Sequence, residues 1–116
     1  MKPATVALVQ GVYFFITGVW PLVSIRTFML VTGPKKDIWL VRTVGAVLAV
    51  IGLAIGLAGL RGAVPVEIVL LAIGSASVLT AIDTGYSLLR IISKIYLADA
   101  VAEMVLIAWW VAALLH

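Results

Sequence analysis

Four long apolar runs dominate the pattern of hydrophobic and polar positions along this chain of 116 residues. Each run is about 20 residues long, which is the length that an α-helix needs to cross a hydrocarbon layer about 30 Å thick. The pattern predicts four transmembrane helices, at residues 4–23, 38–60, 66–89 and 95–115. Whether the third helix continues beyond residue 83 stays open, because polar and apolar residues mix there without a clear period.

Short segments with turn-forming or polar residues separate the four runs. Residues 24–32 predict an interfacial segment, and Asp37 is placed to cap the second helix. Residues 90–94 predict the turn before the last helix. Connections this short make consecutive helices antiparallel neighbours. The predicted fold class is therefore an all-α, up-down four-helix transmembrane bundle, in which residues 1–116 form one domain with both termini on the same side.

The composition identifies this helical chain as a membrane protein. Hydrophobic residues make up 65% of it and charged residues only 11%, whereas soluble domains carry about 25% charged residues. Four spans leave no room for a soluble catalytic domain, which favours a role that is not enzymatic. The chain has no cysteine, and His116 is its one histidine, which excludes disulfides, cysteine metal sites and paired-histidine haem sites. We expect no metal and no cofactor other than a non-covalent quinone or lipid.

Basic residues gather in the segments after the first and third helices. Six of the eight lie there, namely Arg26, Lys35, Lys36, Arg42, Arg90 and Lys94. Lys2 and Arg61 lie on the other side. The positive-inside tendency places the richer side in the cytoplasm and both termini outside. The net charge of +3 therefore indicates affinity for the anionic lipids of the bilayer. We expect no nucleic-acid partner.

Small residues form a continuous stripe along one face of the second helix. They recur at steps of 4, 3, 4 and 3, as Gly45, Ala49, Gly52, Gly56 and Gly59. Small residues let helices approach closely in lipid, where the hydrophobic effect cannot join them. Shorter answering stripes follow on the next two helices, as Gly74, Ser77 and Ala81, as Ala98 with Ala102, and as Ala108 with Ala112. We expect packing within the bundle between neighbouring helices, with a dimer face as the alternative.

Polar and aromatic side chains mark the first and last helices. Gln10, Tyr13 and Thr17 share one face of the first helix, and this face is expected to point inward because polar groups avoid lipid. It predicts either interhelical hydrogen bonds or one wall of a cavity. Trp109 and Trp110 lie near the end of the last helix and predict a position in the aromatic belt at the membrane surface.

Charged residues within the spans are costly and are therefore candidate functional residues. Arg42 and Glu103 lie about 7.5 Å and about 12 Å from the starts of their helices, both of which begin on the same side of the membrane. Asp99 and Glu103, four residues apart, share a face. The sequence predicts a salt bridge from Arg42 to Glu103 or to Asp99. Such a pair either fixes helix order or leaves Glu103 to bind a proton, a cation or a polar headgroup.

A second polar strip lies at the end of the third helix. Asp83, Tyr86 and Arg90 follow one another at steps of 3 and 4, so they can share a helix face. The strip is either solvated surface or, together with Tyr96, the mouth of a pocket that opens to the cytoplasm.

The chain resembles small bacterial four-helix membrane proteins of the DoxX-like kind in two stretches. These are GVWPLVSIRTFMLVTGPKKDIWLVRTVG (residues 18–45) and IYLADAVAEMVLIAWW (residues 95–110), which together cover under half of the chain. The resemblance implies a four-helix topology and a bacterial inner-membrane location. Some members of that group are accessory subunits of quinone-linked oxidation. The resemblance implies no catalytic residue.

Three functions are consistent with these features. The absence of a soluble domain favours a non-catalytic subunit or assembly partner of a larger membrane complex, or a homo-oligomer. The alternative is a binding protein or enzyme for a lipid-soluble molecule, such as a quinone or isoprenoid, in a pocket lined by Glu103 and Arg42. This alternative predicts a cavity with Glu103 in its wall. The third function, a proton-coupled exporter, rests on chain length and helix count.

Overall fold

In the part of the chain that the computed structural model describes, four of the five helices are long and apolar enough to cross a membrane. The structure describes residues 2–34, 36–89 and 94–115. In chain order the helices are α1 (Pro3–Val23), α2 (Ile25–Thr32), α3 (Ile38–Arg61), α4 (Val66–Leu88) and α5 (Ile95–Leu114). Within these ranges there is no strand. The predicted all-α fold with four membrane-spanning helices is confirmed.

A few sequence predictions fall on parts of the chain that the structure does not describe. Lys35, Arg90 and His116 lie outside the described residues. So does the predicted turn at residues 90–94, apart from Lys94. The third transmembrane helix, α4, continues past residue 83 and ends at Leu88, which answers the question that periodicity left open.

The short helix α2 occupies the segment predicted to be interfacial, and it packs against the end of α1. The Ser24 hydroxyl accepts a hydrogen bond from the backbone N–H of Thr27 at 3.4 Å, and the Thr27 hydroxyl donates to the Ser24 hydroxyl at 2.8 Å. The Trp20 indole donates to the Thr27 hydroxyl at 3.1 Å. Its ring also meets Phe28 edge-on, with centroids 5.3 Å apart. We call this end of the bundle the α2 end.

Backbone groups, rather than the expected carboxylate, cap the start of α3. Asp37 occupies the N-cap position, but its side chain makes no capping hydrogen bond. Its carbonyl oxygen instead accepts from the N–H groups of Leu40 and Val41, both at 3.1 Å. At the other end of α3, Gly62 adopts a φ of 73°, a left-handed conformation that glycine adopts without steric cost and that ends the helix.

Helices α1 and α3 form the most extensive interface in the protein. They run antiparallel, so that Gly11 lies opposite Gly56 and Gly18 lies opposite Gly45. A Cβ atom added to Gly11 would lie 2.5 Å from the backbone of Gly56, and one added to Gly52 would lie 2.6 Å from a backbone nitrogen of α1. Only glycine permits such contact between two backbones. The small-residue stripe of α3 therefore packs inside the bundle.

The partner of that stripe is α1, and the prediction that α4 answers it is wrong. Helices α3 and α4 touch only sparsely. A Cβ atom at Gly74 would meet nothing within 4 Å, and Ser77 and Ala81 are exposed. A short loop sets two helices antiparallel without pressing their faces together. The overlooked signal was on α1, where Gly11 and Gly18 are seven residues apart and therefore share a face.

Helices α4 and α5 form a second pair, which packs on the α1/α3 pair around a fully buried tryptophan. The core at this contact consists of Val6, Ala7, Ile55, Ala72, Trp110 and Ala113. The expected belt position of Trp110 is therefore wrong. The expected alanine stripes of α5 are also wrong as packing faces, because Ala98 and Ala108 are exposed.

The antiparallel order places the start of α1 and the end of α5 away from α2. Ala4, near the start of α1, lies against Gly59, near the end of α3. The described basic residues of the two richer segments, Arg26, Lys36, Arg42 and Lys94, belong to the α2 end. Lys2 and Arg61 belong to the opposite end. The charge asymmetry expected from the sequence is therefore present between the two ends of the bundle, and the assignment of the α2 end to the cytoplasm stays a prediction.

Candidate functional site

A cavity of about 690 Å³ lies between the two helix pairs at the α2 end. All five helices contribute to its wall, which is mostly apolar. The polar side chains that line it are Tyr13, Thr17, Thr32, Asp83, Tyr96, Asp99 and Glu103. Ligand pockets in proteins have volumes of about 300 to 1,000 Å³ and combine apolar walls with a few polar groups. The cavity has both properties.

Three carboxyl groups meet at one side of this cavity. Asp83 comes from α4, whereas Asp99 and Glu103 lie one helical turn apart on α5. The Tyr13 hydroxyl of α1 donates a hydrogen bond to Oδ1 of Asp99. The carboxyl group of Asp99 is close enough to those of Asp83 and Glu103 to interact with them electrostatically. We call these four residues the acidic cluster.

Two members of the acidic cluster are buried with an oxygen atom that has no partner. Glu103 is 1% exposed and Asp83 is 4% exposed. Within the described parts of the chain, Oε1 of Glu103 and Oδ2 of Asp83 have no hydrogen-bond partner. Burying a charged oxygen without a partner costs free energy. These two atoms are therefore places where a ligand or a proton is stabilised.

The predicted salt bridge from Arg42 to the acids of α5 is absent. Arg42 is exposed and does not line the cavity, and no buried salt bridge is found among the residues described. Gly45, three residues later, is buried against α1, whereas Arg42 is exposed. Similar depth in the membrane does not bring Arg42 and Glu103 together, because Glu103 is buried in the cavity wall and Arg42 is exposed outside it.

Gln10 makes hydrogen bonds in the core rather than lining the cavity. Its Nε2 atom donates to the carbonyl oxygen of Ala72 at 2.9 Å, and its Oε1 atom accepts from the Trp110 indole at 2.6 Å. These bonds tie α1 to both α4 and α5. The polar face of α1 thus serves both of the purposes considered from the sequence, because Tyr13 and Thr17 line the cavity while Gln10 joins helices.

The residues of the polar strip expected at the end of α4 do not share one environment. Asp83 is buried in the cavity wall, whereas Tyr86 is exposed and does not line the cavity. Tyr96 lines the cavity, and its place at a mouth that opens to the cytoplasm stays a prediction. The third member of the strip, Arg90, is outside the described residues.

Aromatic side chains that the sequence pattern did not mark complete the wall. Phe14 and Phe28 are both buried and line the cavity. Phe14 directly follows Tyr13, and their rings lie 6.2 Å apart in a tilted arrangement. Its position beside the polar face of α1 was the available signal. Phe28 could not be placed in the same way, because its place in the wall depends on how α2 folds back on α1.

On one side, the cavity reaches the protein surface between α3 and α4. Leu40, Val44 and Ile82 line it and are each about half-exposed. An apolar groove of about 770 Å³ continues along the gap between these helices and shares Val44, Leu48 and Leu79 with the cavity. The rim of this opening is therefore apolar, as is the surface of the membrane-spanning helices around it.

Comparison of the chain with protein-family models, with curated proteins and with solved structures gives no match. The resemblance to DoxX-like proteins therefore stays a prediction.

Proposed function

We propose that the protein binds a lipid-soluble molecule in the cavity between its two helix pairs. The observation that carries the proposal is a cavity of about 690 Å³ whose apolar wall ends at the acidic cluster. An apolar wall accommodates hydrocarbon, and a few fixed polar groups orient the ligand. The molecule is therefore amphiphilic, with a polar head at the cluster.

The open side of the cavity supports access from the bilayer. Helices α3 and α4 touch sparsely, and the cavity continues into the groove between them. A hydrocarbon tail can therefore remain in the groove while the head enters the cavity. A quinone or an isoprenoid has a tail suited to this groove. Arg42 has no part in the proposal, because it lies outside the cavity wall.

The unpartnered oxygens support a ligand with a polar head over a purely apolar one. A hydrocarbon placed against Glu103 and Asp83 would leave their buried oxygens without a partner, and an unmet buried polar group costs about 1 to 3 kcal/mol. A polar head removes that cost at the position where the wall is most polar. The polar end of the cavity is therefore the source of specificity.

The proposal is tested by extracting small molecules from protein purified in a mild detergent and identifying them by mass spectrometry. We expect one amphiphile to accompany the wild-type protein in near-stoichiometric amount. Ala98 lines the cavity from α5 and is exposed, so a larger side chain there fills space without disturbing helix packing. Ala98→Phe should lower the amount of the co-purified molecule several-fold.

The matched control is Ala108→Phe, on the same helix. Ala108 is exposed and does not line the cavity, so this variant should retain the molecule. Helix content, measured by circular dichroism, should be the same in all three proteins. The proposal is rejected if the wild-type protein carries no such molecule, or if Ala98→Phe retains it in full.

The other two functions considered from the sequence stay predictions. A subunit or homo-oligomer should show a mass well above that of one 12.3 kDa chain in light scattering of the detergent-solubilised complex. A proton-coupled exporter should lose transport in a pH-gradient assay when Glu103 is changed to Gln, because such transport needs an accessible carboxylate.

A further inference from the structure

We infer that the ligand of this cavity is an amphiphile with a protonated amine head, which binds at Glu103 and Asp83 while its alkyl chain lies between α3 and α4. The inference rests on the proposed function and names the chemical class of its ligand.

The charge around the cavity is of one sign. Asp83, Asp99 and Glu103 all line it, whereas no lysine or arginine among the described residues does. The remaining side chains of the cavity wall are uncharged. The polar ones among them are Tyr13 and Thr17 on α1, Thr32 on α2 and Tyr96 on α5, and α3 contributes only apolar residues or glycine. Neighbouring carboxylates repel one another strongly in a medium of low dielectric constant, unless a proton neutralises one of them or a positive charge lies between them. A cationic head supplies that charge.

The balance of donors and acceptors at the cluster also favours an ammonium group. The Tyr13 hydroxyl donates to Asp99, and the Thr32 hydroxyl donates to the carbonyl oxygen of Phe28 at 2.8 Å. Of the three buried polar atoms without a partner in the described chain, the Trp109 indole nitrogen lies outside the cavity wall, and the two in the wall are carboxyl oxygens of Asp83 and Glu103. Carboxyl oxygens accept hydrogen bonds when ionised. A primary ammonium group offers three donors and a charge. A quinone offers only acceptor oxygens, and an alcohol offers one donor and no charge.

The shape of the site favours an organic cation over a metal ion. Among the residues that the structure describes, no group of three His, Cys, Asp or Glu side chains is arranged to hold a metal ion. The cavity of about 690 Å³ is much larger than a metal ion requires, and its wall is mostly apolar. Trp20 and Phe28 line the same cavity, and aromatic rings attract alkylammonium groups.

The groove between α3 and α4 sets the position of the alkyl chain. It joins the cavity through Val44, Leu48 and Leu79. Lipid tails are as apolar as these side chains, so moving an alkyl chain from the bilayer into the groove gains little free energy. Affinity must therefore come from the head, and two ligands with the same chain but different heads should differ clearly in binding.

The test compares decylamine, which is protonated at pH 7, with 1-decanol by isothermal titration calorimetry in uncharged detergent micelles. Titration into protein-free micelles corrects for partitioning. We expect decylamine to bind wild-type protein at least about tenfold more tightly, since a charge-assisted hydrogen bond in a buried site is worth that factor or more. Glu103→Gln and Asp83→Asn should each reduce the preference. Asp37→Asn, which removes an exposed carboxylate outside the cavity wall, should leave it unchanged.

A further arm uses dioctanoyl phosphatidylethanolamine, in which the ammonium group is attached to an anionic phosphate. Tighter binding of this lipid than of decylamine would assign the ammonium to a lipid headgroup, and the reverse order would assign it to a free amine. Either result supports an ammonium ligand if Glu103→Gln weakens it.

Equal affinity for decylamine and 1-decanol overturns the inference, as does a preference that both acidic-cluster variants retain. If the two probes bind equally and Ala98→Phe loses both, the cavity binds amphiphiles and only the inferred head is wrong. If Ala98→Phe loses neither, the proposed function fails as well.

Discussion

Helix α1 takes part in two very different contacts, the close interface with α3 and the open cavity towards α4 and α5. Towards α3 it presents Gly11 and Gly18, and the two backbones touch. Towards the cavity it presents Tyr13, Thr17 and Trp20. Because glycine has no side chain, α1 and α3 pack too closely to leave space for a ligand between them. On the other face of α1, large polar and aromatic side chains keep the α4/α5 pair at a distance. One helix thereby both anchors the bundle and keeps a cavity open.

The two contacts also differ in what stabilises them. In a bilayer the hydrophobic effect does not join apolar helices, so the α1–α3 interface depends on close van der Waals packing between backbones. The contact of α1 with the other pair depends on the hydrogen bonds of Gln10 to Ala72 and Trp110. Substitutions in the two contacts should therefore act through different causes and with different magnitudes.

The largest effect is expected from Gly52→Leu. A Cβ atom at this position would lie 2.6 to 2.8 Å from atoms of α1, two of them backbone atoms, so α1 and α3 would have to move apart. We expect a loss of about 3 kcal/mol in the free energy of unfolding, at the upper end of the cost of overpacking. Unfolding by titration with sodium dodecyl sulfate, followed by circular dichroism, measures it.

The control for this substitution is Gly85→Leu on α4. A Cβ atom there would meet nothing within 4 Å, so the change should stay within about 0.5 kcal/mol. If both variants lose the same small amount, the backbones of α1 and α3 are not in contact, and the contrast between the two faces of α1 disappears.

A smaller effect is expected from Gln10→Leu, which removes the acceptor of the buried Trp110 indole. Leaving that N–H group without a partner should cost about 1 to 2 kcal/mol. Trp110→Phe should have a cost of its own, because it removes volume from the core. In the double variant no unpaired indole remains. The free energy of unfolding lost by the double variant should therefore be smaller than the sum of the losses of the two single variants, as measured in a double-mutant cycle. Strict additivity would mean that this hydrogen bond does not join the helix pairs.

Trp39→Phe controls for the loss of an indole. Trp39 is 70% exposed, so this variant should unfold at the same detergent concentration as wild type.

The spans and the fold class could be predicted because length and apolar composition alone decide them. The face that the glycines of α3 share was equally predictable, because it follows from the helical period. The helix that meets this face was not predictable in the same way. Periodicity shows which residues lie together on one helix, but the partner is set by the matching shape of a distant segment, here Gly11 and Gly18.

The residues around the cavity and the core likewise divide into those whose positions the sequence could predict and those whose positions it could not. The cost of charge in a membrane singled out Asp83, Asp99 and Glu103 as candidates, and the structure brings all three into one wall. The buried position of Trp110 had no local signal, because its partner Gln10 lies 100 residues away in the chain. A tryptophan near a helix end predicts an interface position unless such a partner draws it inward.

The smallest loss in the free energy of unfolding is expected from Arg42→Gln. This variant tests whether an ion pair of Arg42 helps to join the two helix pairs. Breaking a buried ion pair would cost about 3 to 5 kcal/mol. Because Arg42 is exposed and outside the cavity wall, we expect a change within about 0.5 kcal/mol, equal to that of Arg26→Gln on α2, which is also exposed. A large loss for Arg42→Gln alone, in the same detergent titration, would place this guanidinium against the acidic cluster. Equal and small losses would mean that Arg42 does not balance the charge of the cluster, which leaves that balance to a proton or to the ligand.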